Sequence, residues 1–351
     1  MDRMTDMLTT LAAHAAAADR DLVWPAPSWD AISKGGVPGW SIPPEFGGQG
    51  RSTVALLEGY AGLGAACLTT AFLLSQREAA VRRILDHGSP ELQRELLRPL
   101  ACGGRFATVG LSQLTTSRQH GGPALRATLA DRSLTIDGVI PWVTGAAEAQ
   151  HIIIGAVIED GRQVLAVLPM DLPGVSVGPP LDLMALRGSL TAEVHCDRVQ
   201  LSPRWLLAGP AERVMAGVRG GTGGLETSCL ALGLTSAAVK HLQQEAVHRS
   251  ELVDTAEHLR QDHAALWQEL LQRAEHGATP EQAANLRAGA NSLVLRATQA
   301  ALTASKGTGY LHSHPAQRWA RQALFFLVWS CPRPAADATL AWLAPAHSCA
   351  L

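Results

Sequence analysis

In the stretch SLTIDGVIPWVTGAAEAQHIIIGAVIEDGRQVLAVLP, Ser133 to Pro169, short runs of Val, Ile, Leu and Thr are punctuated by Gly, Pro and Asp, the pattern of β-strands. Asp-Gly occurs at Asp137-Gly138 and at Asp160-Gly161. This pair is the strongest short hairpin signal, so the sheet is expected to be antiparallel in part and to form a barrel or sandwich. FATVGL and ALRATLA before the stretch and AEVHCDRVQL after it extend the same pattern, which marks out a β domain over about 106–210.

On both sides the periodicity is helical. Over 1–105, segments such as TVALLEGYAGLGAACLTTAFLLSQREAAVRRIL repeat apolar residues at helix spacing among good helix formers. Gly35 to Gly50, GGVPGWSIPPEFGGQG, interrupts them and reads as an ordered series of turns. Ser89-Pro90-Glu91-Leu92 predicts a helix start, with an N-cap, a proline at the first helical position and an acid in the first turn. Over 211–351 the helical pattern returns in three or four long segments, and Thr279-Pro280-Glu281-Gln282 marks another start. The expected fold class is α+β multidomain, with an N-terminal helical domain (1–105), a middle antiparallel β-barrel or sandwich domain (106–210) and a C-terminal helical bundle (211–351).

The totals narrow the function. With 17% charged residues and a formal charge of -2, the chain has no field that would gather a polyanion, which argues against nucleic acid as a partner. No apolar run reaches the roughly 18 to 20 residues of a membrane span, and the N-terminus is amphipathic, not signal-like, so a cytoplasmic protein is expected. Six cysteines are scattered without a C-x-x-C pair or a histidine at metal spacing, which reads as reduced, mostly buried thiols and no metal site.

Seven segments, in order along nearly the whole chain, are similar to the acyl-CoA dehydrogenase family. They are IPPEFGGQG (42–50), HGSPELQRELLRPLACGGRFATVGLS (87–112), DGVIPWVTGAAEAQHIIIGAV (137–157), VLPMDLPGVSVG (167–178), LRGSLTAEVHCDRVQLSPRWLLAG (186–209), LGLTSAAV (232–239) and KGTGYLHSHPAQRWARQA (306–323). The resemblance implies a flavoprotein with an N-terminal α domain, a middle β domain and a C-terminal four-helix bundle, FAD as cofactor and an acyl thioester as substrate. It also implies pairing through the bundle into a homodimer or homotetramer. Trp142 and Thr144 match the family's Trp-x-Thr pair, where the indole covers a flavin face and the hydroxyl sits near flavin N5. Ser112, after Leu111, matches a threonine that bonds the flavin pyrimidine edge. Arg249 matches an arginine that reaches the FAD pyrophosphate, and Gly307 lies in the segment that supports the adenine half from a neighbouring subunit. Read without the resemblance, Trp142 is a core aromatic and Thr144 an ordinary strand residue.

The chain departs from the family where chemistry is done. After its threonine the family has Glu-Pro and a Gly-Ser-Asp turn; here Gln113 to His120 reads QLTTSRQH, which introduces Arg118 and His120. Arg118 could meet a phosphate or carboxylate and His120 could donate or accept a proton, or both belong to a solvated loop face. The family's catalytic Glu falls on Ser330, within Trp329-Ser330-Cys331-Pro332, and an unassisted hydroxyl is a very poor base near neutral pH. Some family members carry the base ten residues before the glycine matching Gly233, which is Gly223 here. Glu226 lies three residues on, displaced about 4.5 Å along a helix. It is either a relocated base or a first-turn Glu that favours the helix N-terminus.

The resulting expectation is a flavin-dependent oxidoreductase with altered chemistry on an acyl thioester. Two alternatives stand beside it. One is a catalytically inactive binding or scaffold protein on the same fold. The other is a flavin monooxygenase, for which Arg118 and His120 would stabilise or protonate the reacting oxygen species.

Overall fold

The computed structural model describes residues 3–115, 123–130, 133–215, 224–329 and 333–344. Its first helices are α1 (Arg3–Arg20), α2 (Ala26–Lys34), α3 (Thr53–Ala66), α4 (Leu68–His87), α5 (Pro90–Ala101) and the single turn α6 (Ser112–Thr115). The strands are β1 (Ala107–Gly110), β2 (Leu125–Ala130), β3 (Ser133–Val143), β4 (His151–Val157), β5 (Gln163–Pro169), β6 (Val175–Pro180), β7 (Ala192–Leu201) and β8 (Leu206–Ala211). The chain closes with α7 (Leu225–Ala246), α8 (Val253–His276), α9 (Pro280–Ala304), α10 (Pro315–Phe325) and α11 (Arg333–Leu343). Helices, sheet and helices follow in the order the periodicity predicts. Among the described residues no helix is long and apolar enough to cross a membrane.

Two compact units share the chain, one made of Met1–Ser52 with Thr69–Gly221 and the other of Thr53–Leu68 with Thr222–Leu351. In the first unit the strands form a single sheet in the order β6-β7-β3-β2-β4-β5-β8, with β1 pairing β4 off that path. The sheet is open and mixed, not a closed barrel or a two-sheet sandwich: β1–β4 and β2–β4 are parallel and the remaining pairs antiparallel. β4 is buried along nearly its whole length, which is why HIIIGAV reads as a continuous apolar run and not as an alternation.

The two Asp-Gly pairs have different fates. Asp160-Gly161 is the β4–β5 turn: Val157 pairs with Gln163, Gly161 has φ 87°, and Ile158 N donates to the Arg162 carbonyl at 2.8 Å. Asp137-Gly138 is not a hairpin turn. It lies inside β3, where the register to β7 shifts between Ile136 and Gly138, and Gly138 at φ 121° is a bulge pressed against Ala124.

Local start signals act as expected. Ser89 Oγ accepts from Leu92 N at 3.2 Å with Pro90 in the first turn of α5. The Gly35–Gly50 segment is an ordered turn series with two short 3-10 turns. It is tied to α4 by Ser41, which donates to Glu78, while Glu78 pairs with the fully buried Arg77. Arg77 also donates to the Leu100 carbonyl at 2.6 Å, so this buried charge is paired and hydrogen-bonded as its desolvation demands.

In the second unit α7 packs against α3, α8 and α9, and α9 against α10 and α11. α3 comes very near to α7: a Cβ added at Gly233 would lie 2.5 Å from the Ala61 carbonyl oxygen, and Cys229 Sγ contacts the Leu57 carbonyl at 3.0 Å. Small residues at the crossing let the two backbones approach. Thr279 and Gln282 form a reciprocal capping box at the start of α9, with bonds of 3.2 and 3.0 Å.

Candidate functional site

The first unit gathers four of the sequence-predicted site residues at neighbouring strand ends. β1 ends at Gly110, where an added Cβ would lie 2.5 Å from Ile140 Cγ2 and 3.3 Å from Val143 Cγ2. The missing side chain lets the end of β1 lie against the end of β3. Leu111 and Ser112 follow β1, and Trp142 and Thr144 close β3. Leu111 is buried and Ser112 opens the turn of α6. Gln113 Nε2 donates to the carbonyls of Gly110 at 2.9 Å and Gly155 at 2.8 Å, which fastens α6 to β1 and β4. Its Oε1 is buried with no hydrogen-bond partner among the described residues.

Trp142 is not a core aromatic. Its flanking residues Pro141 and Val143 are buried, and the indole points away from them with 48% of its surface exposed. Thr144 is 5% exposed and sits beside a second strand end, because Val143 pairs with Ala192 at the start of β7. That register brings up Thr191, whose Oγ1 donates to Thr144 Oγ1 at 3.4 Å and lies 2.9 Å from Ser189 Oγ. Gly145 N adds a bond to the Ser189 carbonyl at 2.8 Å.

The turn carrying Ser189 and Thr191 is firmly held. Leu186 and Leu190 adopt left-handed φ values of 61° and 45°, each costing about 1–3 kcal/mol for a side chain of this size. The buried Asp19 of α1 offsets part of that cost by accepting from Leu186 N at 2.9 Å. Ser189 and Thr191 are not among the residues that sequence reasoning singled out. The signal available was the polar Ser-x-Thr inside LRGSLTAEV, but its proximity to Thr144 depends on β3–β7 pairing across about fifty residues.

The second unit holds Glu226, Arg249 and Gly307. Glu226 lies in the first turn of α7, partly exposed, and its carboxylate adds to burial in pushing the Cys229 thiol pKa well up. Arg249 follows α7 and is engaged within its own chain. Its Nη1 donates to the Ala304 carbonyl at 2.5 Å, and its guanidinium pairs with Glu251 at 3.0 Å and Glu245 at 3.7 Å. Gly307 is in the 3-10 turn Lys306–Tyr310, and a Cβ added there would meet nothing within 4 Å. Packing therefore does not require glycine at this position.

Two further side chains of this unit order the segment before Ser330. Arg287 Nη2 donates to the carbonyls of Phe326 and Trp329, at 3.3 and 2.9 Å, and Asn291 Nδ2 donates to Phe326 O at 3.1 Å. They satisfy carbonyls that the end of α10 leaves without helical partners. Arg118, His120, Gly223, Ser330, Cys331 and Pro332 lie outside the described residues.

The sequence profile of the acyl-CoA dehydrogenase N-terminal domain matches residues 6–104. Over 334 residues the chain is 25% identical to the probable acyl-CoA dehydrogenase YngJ of Bacillus subtilis (strain 168), covering 89% of this chain and 88% of that protein. The butyryl-CoA dehydrogenase structure from Megasphaera elsdenii superposes with a TM-score of 0.85 at 19% identity, over 98% of both chains. The chain resembles acyl-CoA dehydrogenases over nearly its whole length. The fold extends to a family member solved with a reduced flavin, glutaryl-CoA dehydrogenase from Mycobacterium smegmatis in complex with FADH2. That structure superposes with a TM-score of 0.80 at 17% identity, over 98% of this chain and 95% of that one.

Proposed function

We propose that this acyl-CoA dehydrogenase-like chain binds FAD and is an oxidoreductase acting on an acyl thioester, with its proton chemistry moved off the family's usual carboxylate. One observation carries the reading: an exposed indole, Trp142, and a buried hydroxyl, Thr144, stand two residues apart at one strand end, beside Leu111 and Ser112. An exposed indole beside a buried hydroxyl offers a planar ligand both an apolar face and a polar contact.

The residues present fit the ring of the cofactor. Trp142 would lie against it and exclude water, Thr144 would meet a ring heteroatom, Ser112 would hold the pyrimidine edge, and Gln113 Oε1 is an acceptor still to be satisfied. Bound FAD would supply a two-electron acceptor for substrate oxidation. Arg249 and Gly307 are the candidates for the cofactor's pyrophosphate and adenine half, from the neighbouring subunit of a homodimer or homotetramer. Glu226 is the candidate for taking up a substrate proton, and Arg118 and His120 for stabilising charge or moving a proton in the loop that departs from the family.

A second reading, a binding or scaffold protein without catalysis, has its own support. Arg249 is already occupied by Ala304, Glu245 and Glu251, and Ser330 replaces the base. The visible spectrum of the purified protein with and without added FAD separates the two. A stable flavin band that bleaches anaerobically with one member of an acyl-CoA panel supports the enzyme. If no band survives reconstitution and desalting, FAD binding is refuted.

A further inference from the structure

We propose that Ser189 and Thr191 are positioning residues that turn the Thr144 hydroxyl into a dedicated hydrogen-bond donor toward a flavin ring, an inference that rests on the FAD-binding reading above. A count of protons leads to it. Each hydroxyl has one hydrogen to give. Thr191 spends its own on Thr144 Oγ1, so the 2.9 Å contact between Ser189 and Thr191 must run from Ser189 to Thr191. The string is therefore one-way: Ser189 donates to Thr191, and Thr191 donates to Thr144. Thr144 receives a bond and keeps its hydrogen, and no acceptor among the described residues takes it.

The surroundings suit such a string. All three side chains are nearly closed to solvent, with Ser189 at 0% and Thr191 and Thr144 at 5% exposure, so water does not scramble their direction. The turn that carries Ser189 is held from three sides: by Asp19 on Leu186 N, by the Ser189 carbonyl on Gly145 N, and by the Thr191 carbonyl on Leu181 N at 2.8 Å. A pre-set donor in a dry pocket suits a ring nitrogen that is an acceptor in the oxidised cofactor. The link from Thr191 to Thr144 is long at 3.4 Å, and such bonds tighten when the ligand they serve is bound.

The test uses the full chain reconstituted with FAD and needs no substrate. Thr191→Val removes the hydroxyl at nearly constant shape, and Thr144→Val removes the proposed donor itself. Flavin affinity is read by fluorescence titration and the ring environment by the visible absorption maxima. Thr191→Val and Thr144→Val are expected to shift the maxima in the same direction and each to weaken FAD binding roughly fivefold. The double variant should be no weaker than Thr144→Val alone, since both act on one bond. Thr191→Ser, which keeps the hydroxyl, should restore the wild-type spectrum; it also provides the comparison if Thr191→Val fails to fold, with Ser189→Ala then expected to reproduce the shift. Wild-type affinity and spectrum in Thr191→Val, or losses that add in the double variant, would overturn the string and leave FAD binding standing. A wild-type protein that takes up no FAD would overturn both.

Discussion

The Arg287 guanidinium donates to the Trp329 carbonyl at 2.9 Å, and so a fully buried side chain of α9 fixes the backbone just before Ser330. The same group donates to Asn291 Oδ1 at 2.9 Å through Nε, which locks its plane. Arg287→Met would remove the guanidinium bonds to the Phe326 and Trp329 carbonyls and leave Phe326 with Asn291 Nδ2. Unfolding in denaturant should show a loss of roughly 3 kcal/mol. Arg287→Lys should recover little of it, because one ammonium cannot serve the same fork of acceptors.

His151 should make stability pH-dependent. It is 8% exposed at the start of β4, against the Trp205 ring at 5.7 Å. Burial, helped by Arg105 and Arg204 and opposed by Glu95 and Asp171, lowers its pKa to about 4. The folded state therefore binds fewer protons than the unfolded chain between the ordinary histidine pKa and about 4. The stabilisation is complete above the unfolded value and is lost as pH falls through this window, a total of roughly 3 kcal/mol. Denaturation at pH 7 and pH 4.5 should show most of that drop in the wild type and less of it in His151→Gln.

Gly233 and Gly307 should respond in opposite ways to alanine. At Gly233 the new Cβ would meet the Ala61 carbonyl at 2.5 Å, a backbone atom that cannot step aside, so Gly233→Ala should cost about 1–3 kcal/mol by pushing α3 from α7. At Gly307 the space is open, and Gly307→Ala should leave thermal unfolding within about 0.5 kcal/mol. A drop in FAD affinity in Gly307→Ala without a change in stability would mark a glycine kept for the ligand.

Thiol labelling should sort the described cysteines by environment. Cys102 is exposed, whereas Cys196 is buried and its pKa is pushed up to about 12 by burial and by Asp137. Cys229 is raised by burial and Glu226. Mass mapping after brief alkylation at pH 8 should find Cys102 modified and Cys196 and Cys229 protected until the chain unfolds.

What could be read from the chain alone was local in origin. Ser89 and Thr279 start helices because their hydroxyls reach amides three residues ahead, and β4 reads as a buried strand because solvent touches little of it. Trp142 and Thr144 stood out by their match to a family motif, and the exposed indole separates Trp142 from an ordinary core aromatic. Everything that depends on a distant partner needed the tertiary structure. Identical Asp-Gly pairs became a turn at Asp160-Gly161 and a bulge at Asp137-Gly138, because the second lies in a strand already committed to β2 and β7. The sheet is open because its edge strands β6 and β8 do not pair with each other, and it takes parallel pairs because β4 lies beside β1 and β2. Ser189 and Thr191 met Thr144 through strand register, which no local spacing encodes. Periodicity and capping residues carried the order of helices and strands, and seven short segments carried the resemblance to acyl-CoA dehydrogenases. Strand register alone decided which hydroxyls meet, since the contact between Thr191 and Thr144 exists only once β3 and β7 have brought the two together.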